Sequence, residues 1–330
     1  MKNPLKMHVK EWLSRFKFIN QYYSGIATIF MLHRVCPFEK DKLPPNENMK
    51  VSPEFLEKFI VELRKEGYKF ISLDDLYEIL INRIKIKKQI VFTLDDGYFD
   101  NYEFAYPIFK SYNIPFTVYI TASFPEEKGI LWWYILEDLI IQNRKIVLSS
   151  GIEYLTDTRE NKIKAFMELR NLIMSFNREV FGGLNSLFSN YKIDWFRKCQ
   201  ELSLNWEQIK KLSEDPLVTI GGHTLNHFVL SKLDDEEVVE EIVEGNRLIE
   251  RKIDKKVEHF AYPFGGRDEV TKREYNIVKD LSMKTAVIAI AGNIYLEHKN
   301  YLRCLPRIML TENFDIKNIG KIRRRRIVIV

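Results

Sequence analysis

Residues 89–97 read Gln89-Ile90-Val91-Phe92-Thr93-Leu94-Asp95-Asp96-Gly97. The first six are strongly apolar and β-branched, with no polar alternation, as in a strand buried on both faces. The run ends at two adjacent carboxylates and a glycine. Neighbouring side chains of a regular strand point to opposite faces. Asp95 and Asp96 therefore reach one pocket only if the chain turns, which Gly97 permits. One carboxylate then binds a metal while the other stays free as a base. The alternative is a turn that merely caps the following helix.

Outward from this run, short apolar segments alternate with amphipathic ones. Residues 27–32 (ATIFML) read as a buried strand, and 53–66 as a helix capped by Ser52, with Phe55, Leu56, Phe59, Ile60 and Leu63 at helical spacing. A short strand at 70–72 precedes a helix at 73–81, where Asp74 and Asp75 suit the positive end of the dipole. A helix near 102–112 leads to a β-rich run at 115–121. Later strands are expected at 218–220, 259–262, 285–290 and 305–308, with helices at 206–213, 234–253 and 269–281.

Strand alternating with helix implies a mostly parallel sheet with crossover helices. The number of strands suits an α/β barrel, closed or nearly so, with its chemistry at the C-terminal strand ends. Residues 124–204 break the rhythm. Stretches at 131–141 and 163–176 look helical and few strands are evident, so the region reads as a helical insertion that would act as a lid. The domain reading is an amphipathic segment at 1–26, a barrel at 27–310 and a basic tail at 311–330.

Two more motifs follow strand ends. Gly221-Gly222-His223-Thr224-Leu225-Asn226-His227 places two histidines four apart, the spacing of one face of a helical turn. Two converging neutral imidazoles are the usual start of a divalent metal site. The paired glycines are expected to let the backbone turn sharply. Asp96, His223 and His227 together make a two-His, one-carboxylate set suited to zinc, and also to cobalt, nickel, manganese or iron. Such a cation would acidify water and polarise a carbonyl. In Phe260-Ala261-Tyr262-Pro263-Phe264-Gly265-Gly266, Pro and Gly end a strand, and the amide of Phe264 is a candidate oxyanion donor. A plain strand-to-helix turn is the other reading.

These motifs, as TLDDG, HTLNH and AYPFG in that order, resemble those of the polysaccharide deacetylase family (NodB homology, carbohydrate esterase family 4). The likeness extends to IFMLHRV at 29–35, VYIT at 118–121 and LPRI at 305–308. It implies a distorted TIM-like (β/α)7 barrel that removes N-acetyl groups from sugars. It also implies Asp95 as catalytic base and Asp96, His223 and His227 as metal ligands, with Tyr262, Pro263 and Phe264 in a substrate-binding loop. Two departures stand out. Ala261 occupies the place where many members carry an arginine that orients the base, and Arg307 is the candidate to supply that charge. The late histidine that serves many members as general acid has no clear match. His33, after the first strand, is placed for the pocket as acid, sugar contact or supporting imidazole; His298 lies in a polar stretch that reads as a loop.

Composition sets the outer bounds. The chain has 330 residues, 45% hydrophobic and 29% charged, ordinary for a globular protein. The formal net charge of +5 owes much to Lys321, Arg323, Arg324, Arg325 and Arg326. Such a run reads as a solvated tail, or as a contact for an anionic membrane or phosphorylated substrate. No nucleic-acid module accompanies it, so no nucleic-acid partner is expected. Cys36, Cys199 and Cys304 are too dispersed for a thiolate site and read as buried hydrophobes of a reducing compartment. With no signal-peptide pattern and no membrane-spanning run, the expected location is cytoplasmic. Peripheral contact at the inner membrane face would go through the tail or the aromatics Trp12, Phe16, Phe18, Tyr22 and Tyr23.

The functional expectation is deacetylation of an N-acetylated glycan or glycolipid, within a cell-surface polysaccharide or its lipid-linked precursor. Trp132, Trp133 and Tyr134 either stack on sugar rings or anchor the insertion. An O-acetyl esterase, a non-sugar amidase and a glycan-binding or assembly protein that has lost turnover remain alternatives, and oligomeric state is open.

Overall fold

A computed structural model describes residues 25–321. The aromatic N-terminal residues and the run Arg323–Arg326 lie outside the described residues. Nine parallel strands form one sheet: β1 (Ala27–Leu32), β2 (Lys69–Phe70), β3 (Gln89–Leu94), β4 (Phe116–Ile120), β5 (Val218–Gly222), β6 (His259–Ala261), β7 (Thr285–Ile288), β8 (Leu305–Pro306) and β9 (Ile308–Met309). Their order is β8-β7-β6-β5-β4-β3-β1-β9, with β2 also on β3. β8 pairs with β7 and β9 with β1, so one segment interrupted at Arg307 closes the sheet on itself. The result is a nearly closed parallel barrel, the expected fold class.

The principal helices are α1 (Pro53–Lys65), α2 (Leu73–Ile81), α3 (Tyr106–Ser111), α4 (Trp132–Gln142), α5 (Arg159–Ile173), α6 (Trp206–Glu214), α7 (Asp235–Ile253) and α8 (Lys272–Asp280). The chain signals their starts. Ser52 accepts the amide of Phe55, and Ser72 with Asp75, Asp234 with Glu237 and Thr271 with Glu274 form reciprocal caps. Every residue of β1, β3 and β4 is buried, which explains their unbroken apolar sequence. Outside the barrel, Phe30 meets Phe59 of α1 edge-on at 5.2 Å, and Phe109 of α3 stacks on Phe116 at 4.7 Å. Burying each such ring contributes about 2–3 kcal/mol.

Several expectations are corrected. The helix near 102–112 opens with a π turn at Asn101–Ala105, where the Tyr106 amide reaches back to Asn101. Pro107 has no N–H for the regular ladder, so the turn before it is widened. The insertion is not purely helical: Lys145–Val147 and Glu153–Leu155 form an antiparallel hairpin, too short and polar to show in the sequence. It packs with α4 and α5 around Leu136, Ile140, Phe166 and Phe188. Residues just past 310 also pack on the barrel core. Phe314 sits 5.4 Å from Phe30 and 5.9 Å from Phe59, and Ile319 is buried. All three cysteines are buried and free.

Candidate active site and metal centre

At the C-terminal end of β3 the amide of Asp95 still donates to the Leu32 carbonyl of β1. The chain then leaves the sheet, with left-handed backbone at Asp96 (φ 72°) and Gly97 (φ 74°). A Cβ at Gly97 would lie 2.8 Å from the Cδ1 end of Ile120, which can yield, so glycine is favoured here by conformation. The turn separates the two carboxylates. Asp95 points into the barrel, where Arg307 Nη1 and Nη2 donate to its two oxygens at 2.6 and 2.7 Å. Burial alone would raise the Asp95 pKa; the guanidinium outweighs it and holds the carboxyl below its ordinary value. Arg307 also donates to Thr93 Oγ1 and the Ile288 carbonyl, which fixes the fork.

The histidine motif follows β5, as expected, but it is no helical turn. Residues 223–227 form an irregular loop with left-handed Thr224 (φ 67°) and His227 (φ 61°), held by the His227 amide donating to Thr224 Oγ1. Gly221 and Gly222 do not make the turn either. They lie in β5, where a Cβ would come within 2.4 Å of the Tyr119 ring and 2.0 Å of Asn246 Oδ1 respectively.

The loop brings Nε2 of His223 and of His227 each to 3.2 Å from Asp96 Oδ1. One donor atom from each of the three residues lies within 4.8 Å of the others, and all three are buried. His223 Nδ1 is 2.7 Å from the Ala261 carbonyl, so it carries a proton there and turns Nε2 toward Asp96. Asp96 Oδ1 and His227 Nδ1 have no hydrogen-bond partner. A carboxylate and two imidazoles converging in this way offer one ligand atom each to a single cation, and such a set suits zinc and its first-row neighbours. Burial opposes ionisation of Asp96, but the two imidazoles hold its carboxyl well below the ordinary range.

His33 is pinned beside this cluster. Asn101 Nδ2 donates to its carbonyl, while Arg34 Nε and the Val35 amide both bind Asp100, at 2.6 and 3.0 Å. Its Nδ1 is buried without a partner, and burial holds its pKa below the ordinary value against the charges of Asp96 and Asp95. A cavity of about 530 Å³, the size of an ordinary ligand site, opens over His33, Asp95, Asp96, His223 and His227. Phe264 (φ 60°) packs edge-on to His227 at 4.8 Å, and Trp133 lies 5.3 Å from the same ring. Tyr262 reaches the cavity wall while its hydroxyl binds the Arg303 carbonyl; Pro263 is buried in the turn beneath.

His298 is not at this site. It lies in a 3-10 helix, Leu296–Asn300, buried against α2 and just beyond Ile294, which bonds to Ala27 at the start of β1. His33 follows the other end of that strand. Sequence reading missed Tyr98, whose hydroxyl accepts from Trp133 Nε1, and Asn46, Arg170 and Glu269, which also line the cavity. Tyr98 stands two residues after the Asp pair, a signal that could have found it. The other three carry none.

The sequence model of the polysaccharide deacetylase family matches residues 82–286, more than half of the chain. That span holds Asp95, Asp96, His223 and His227, while His33 and Arg307 lie outside it. Among solved structures, the Streptococcus pyogenes deacetylase PplD in complex with acetate has a TM-score of 0.61 at 19% identity, covering 91% of this chain and 98% of that one. IcaB from Ammonifex degensii has a TM-score of 0.56 at 16% identity, with 91% and 98% covered. BC0361, a polysaccharide deacetylase from Bacillus cereus, has a TM-score of 0.56 at 15% identity, with 90% and 69% covered. At such identities the likeness is one of fold. No curated protein matches the chain. The family match across both the Asp-Asp-Gly turn and the histidine loop carries the conclusion: the chain belongs to the polysaccharide deacetylase family.

Proposed function

We propose that the protein removes N-acetyl groups from a sugar of a polysaccharide or its lipid-linked precursor, with Asp96, His223 and His227 holding a divalent cation, zinc foremost. The observation that carries this reading is the convergence of three buried ligand atoms, beside a second carboxylate that is paired with Arg307. A cation held there supplies Lewis acidity toward an amide carbonyl and acidifies water. The rest is work for this chain's own side chains. Asp95 accepts the proton of the attacking water, and Arg307 keeps its carboxylate ionised and aimed. His33, across the pocket from Asp95, is assigned the proton delivered to the leaving amine. Tyr262, Phe264 and Trp133 form the wall on which a sugar ring rests, and close it to bulk water.

The test is the metal content of purified protein, unmodified and as His223→Ala/His227→Ala, with acetate release from N-acetylated oligosaccharides measured on the same samples. Near-stoichiometric metal and acetate release, both lost in the variant, are expected. Absence of metal after reconstitution would sink the reading. Release from O-acetylated sugars alone would move it to an esterase.

A cytoplasmic location, with substrate presented at the inner membrane face, is part of the same proposal. The basic run at 321–326 and the aromatic residues before 24 support it. No helix among the described residues is long and apolar enough to cross a membrane. Flotation with anionic liposomes at low salt checks the contact, and a fully unbound protein would end it.

A further inference from the structure

A second depression, of about 460 Å³, lies on the barrel flank between α8 and the segment leading into β8. It shares no lining residue with the catalytic cavity. Lys272, Lys279, Lys299 and Arg303 line it, and no carboxylate does. None of the three lysines has an ion-pair or hydrogen-bond partner among the described residues. The nearby Glu274 is buried and already engaged by Arg273 and by the cap of α8.

Arg303 is the organising group. Its Nη1 donates to the Lys284 carbonyl at 2.7 Å, which fixes the plane of the guanidinium. The opposite edge, Nε and Nη2, makes no hydrogen bond among the described residues, and Nε is buried. That edge is the fork with which arginine takes two oxygens of one anion. The Tyr275 hydroxyl, on a residue only 8% exposed, also lacks a partner. Buried donors left unsatisfied are uncommon enough to require an explanation. Four cations without a counter-charge, around one oriented and unused fork, match a polyvalent oxyanion better than a single carboxylate.

We infer that this groove binds a phosphate group, carried either by a lipid headgroup or by a soluble phosphate ester, with Arg303 as the bidentate contact and Lys279 and Lys299 as flanking charges. The site is independent of the hydrolytic centre.

The full chain is titrated calorimetrically with inorganic phosphate and with pyrophosphate. It is also sedimented with vesicles of phosphatidylcholine, alone or with one-third phosphatidylglycerol. Both are repeated on Arg303→Gln and on Lys279→Gln/Lys299→Gln; the second leaves the Lys284 contact intact and should keep the parent melting temperature. Saturable, salt-sensitive binding that weakens about tenfold in each variant is expected, the worth of one charge-assisted contact. Binding of free phosphate without vesicles assigns a soluble ester. Vesicle binding lost in the lysine variant assigns a headgroup. No saturable binding to any probe, or binding unchanged in both variants, overturns the proposal; attachment through the basic run at 323–326 would give the latter result.

Discussion

Arg307 clamps Asp95 through two hydrogen bonds of 2.6 and 2.7 Å across 212 positions of sequence. The pair is sealed, with the arginine side chain 0% and the aspartate 3% exposed. Arg307 stands where the closing segment breaks between β8 and β9, so its side chain enters the barrel instead of extending the ladder. Removing it leaves a buried carboxylate uncompensated, a change that costs about 3–5 kcal/mol. Arg307→Ala should therefore lose stability on that scale and nearly all turnover. Arg307→Lys keeps a charge but not the fork, and should recover stability in part while kcat stays about 100-fold down and KM changes little. Denaturant titration with steady-state kinetics checks this. A stable Arg307→Ala protein with unchanged kcat would remove the residue from the mechanism.

The identity of the site was more legible than its geometry. Asp95 and Asp96 show in sequence because two carboxylates end a strongly apolar strand, although the motif alone also fits a helix-capping turn. Arg307 comes into view only through the resemblance, as the cation that could replace the arginine missing at Ala261. The spacing of the two histidines suggests a helical turn, whereas they converge on Asp96 from an irregular loop. The left-handed backbone at Thr224 and His227 has no marker, since neither is glycine or asparagine. Gly221 and Gly222 suggest a sharp turn because sequence does not show Tyr119 and Asn246 pressing on them within β5. Arg170 and Glu269 come from an insertion helix and a loop, and only the folded chain brings them to one cavity.

The buried imidazole of His298 should make the fold sensitive to acid. The Tyr295 amide donates to its Nδ1, so the neutral ring carries its proton on Nε2. Burial pushes its pKa down from 6.5 to about 4. A folded value below the unfolded one means that the contribution is full above pH 6.5 and lost as pH falls toward 4. The loss by pH 4.5 is about 2–3 kcal/mol at most. His298→Gln should flatten that part of the stability profile, measured as unfolding free energy at pH 7 and 4.5. Equal acid sensitivity in both proteins would show that the ring does not contribute.

Cation binding should stabilise the fold apart from any turnover. Three buried ligand atoms within 4.8 Å of one another are already gathered for one cation, so binding needs little rearrangement. A ligand at 100 times its dissociation constant adds about 2.7 kcal/mol. Zinc added to chelator-stripped protein should raise the melting temperature by several degrees, and Asp96→Ala should abolish the rise. An equal rise in Asp96→Ala would place the binding elsewhere.

Gly245→Ala tests how α7 supports the histidine loop. In an exposed helix this change stabilises by about 1 kcal/mol. Here a Cβ would lie 2.7 Å from the Thr224 carbonyl carbon and 2.8 Å from the Leu225 nitrogen, both backbone atoms with no rotamer to yield. One turn earlier, Glu241 accepts the Leu225 amide on its carbonyl and both the amide and side chain of Asn226 on its carboxylate. The helix therefore holds the loop from two sides, and the added methyl must push the segment between His223 and His227 outward. The expected result is a loss of about 1–3 kcal/mol in stability, with divalent cation affinity weakened at least as much as the fold. Denaturant titration and a metal-binding titration on the same preparation measure both. A variant that gains stability and binds the cation as before would show that the loop does not depend on this contact.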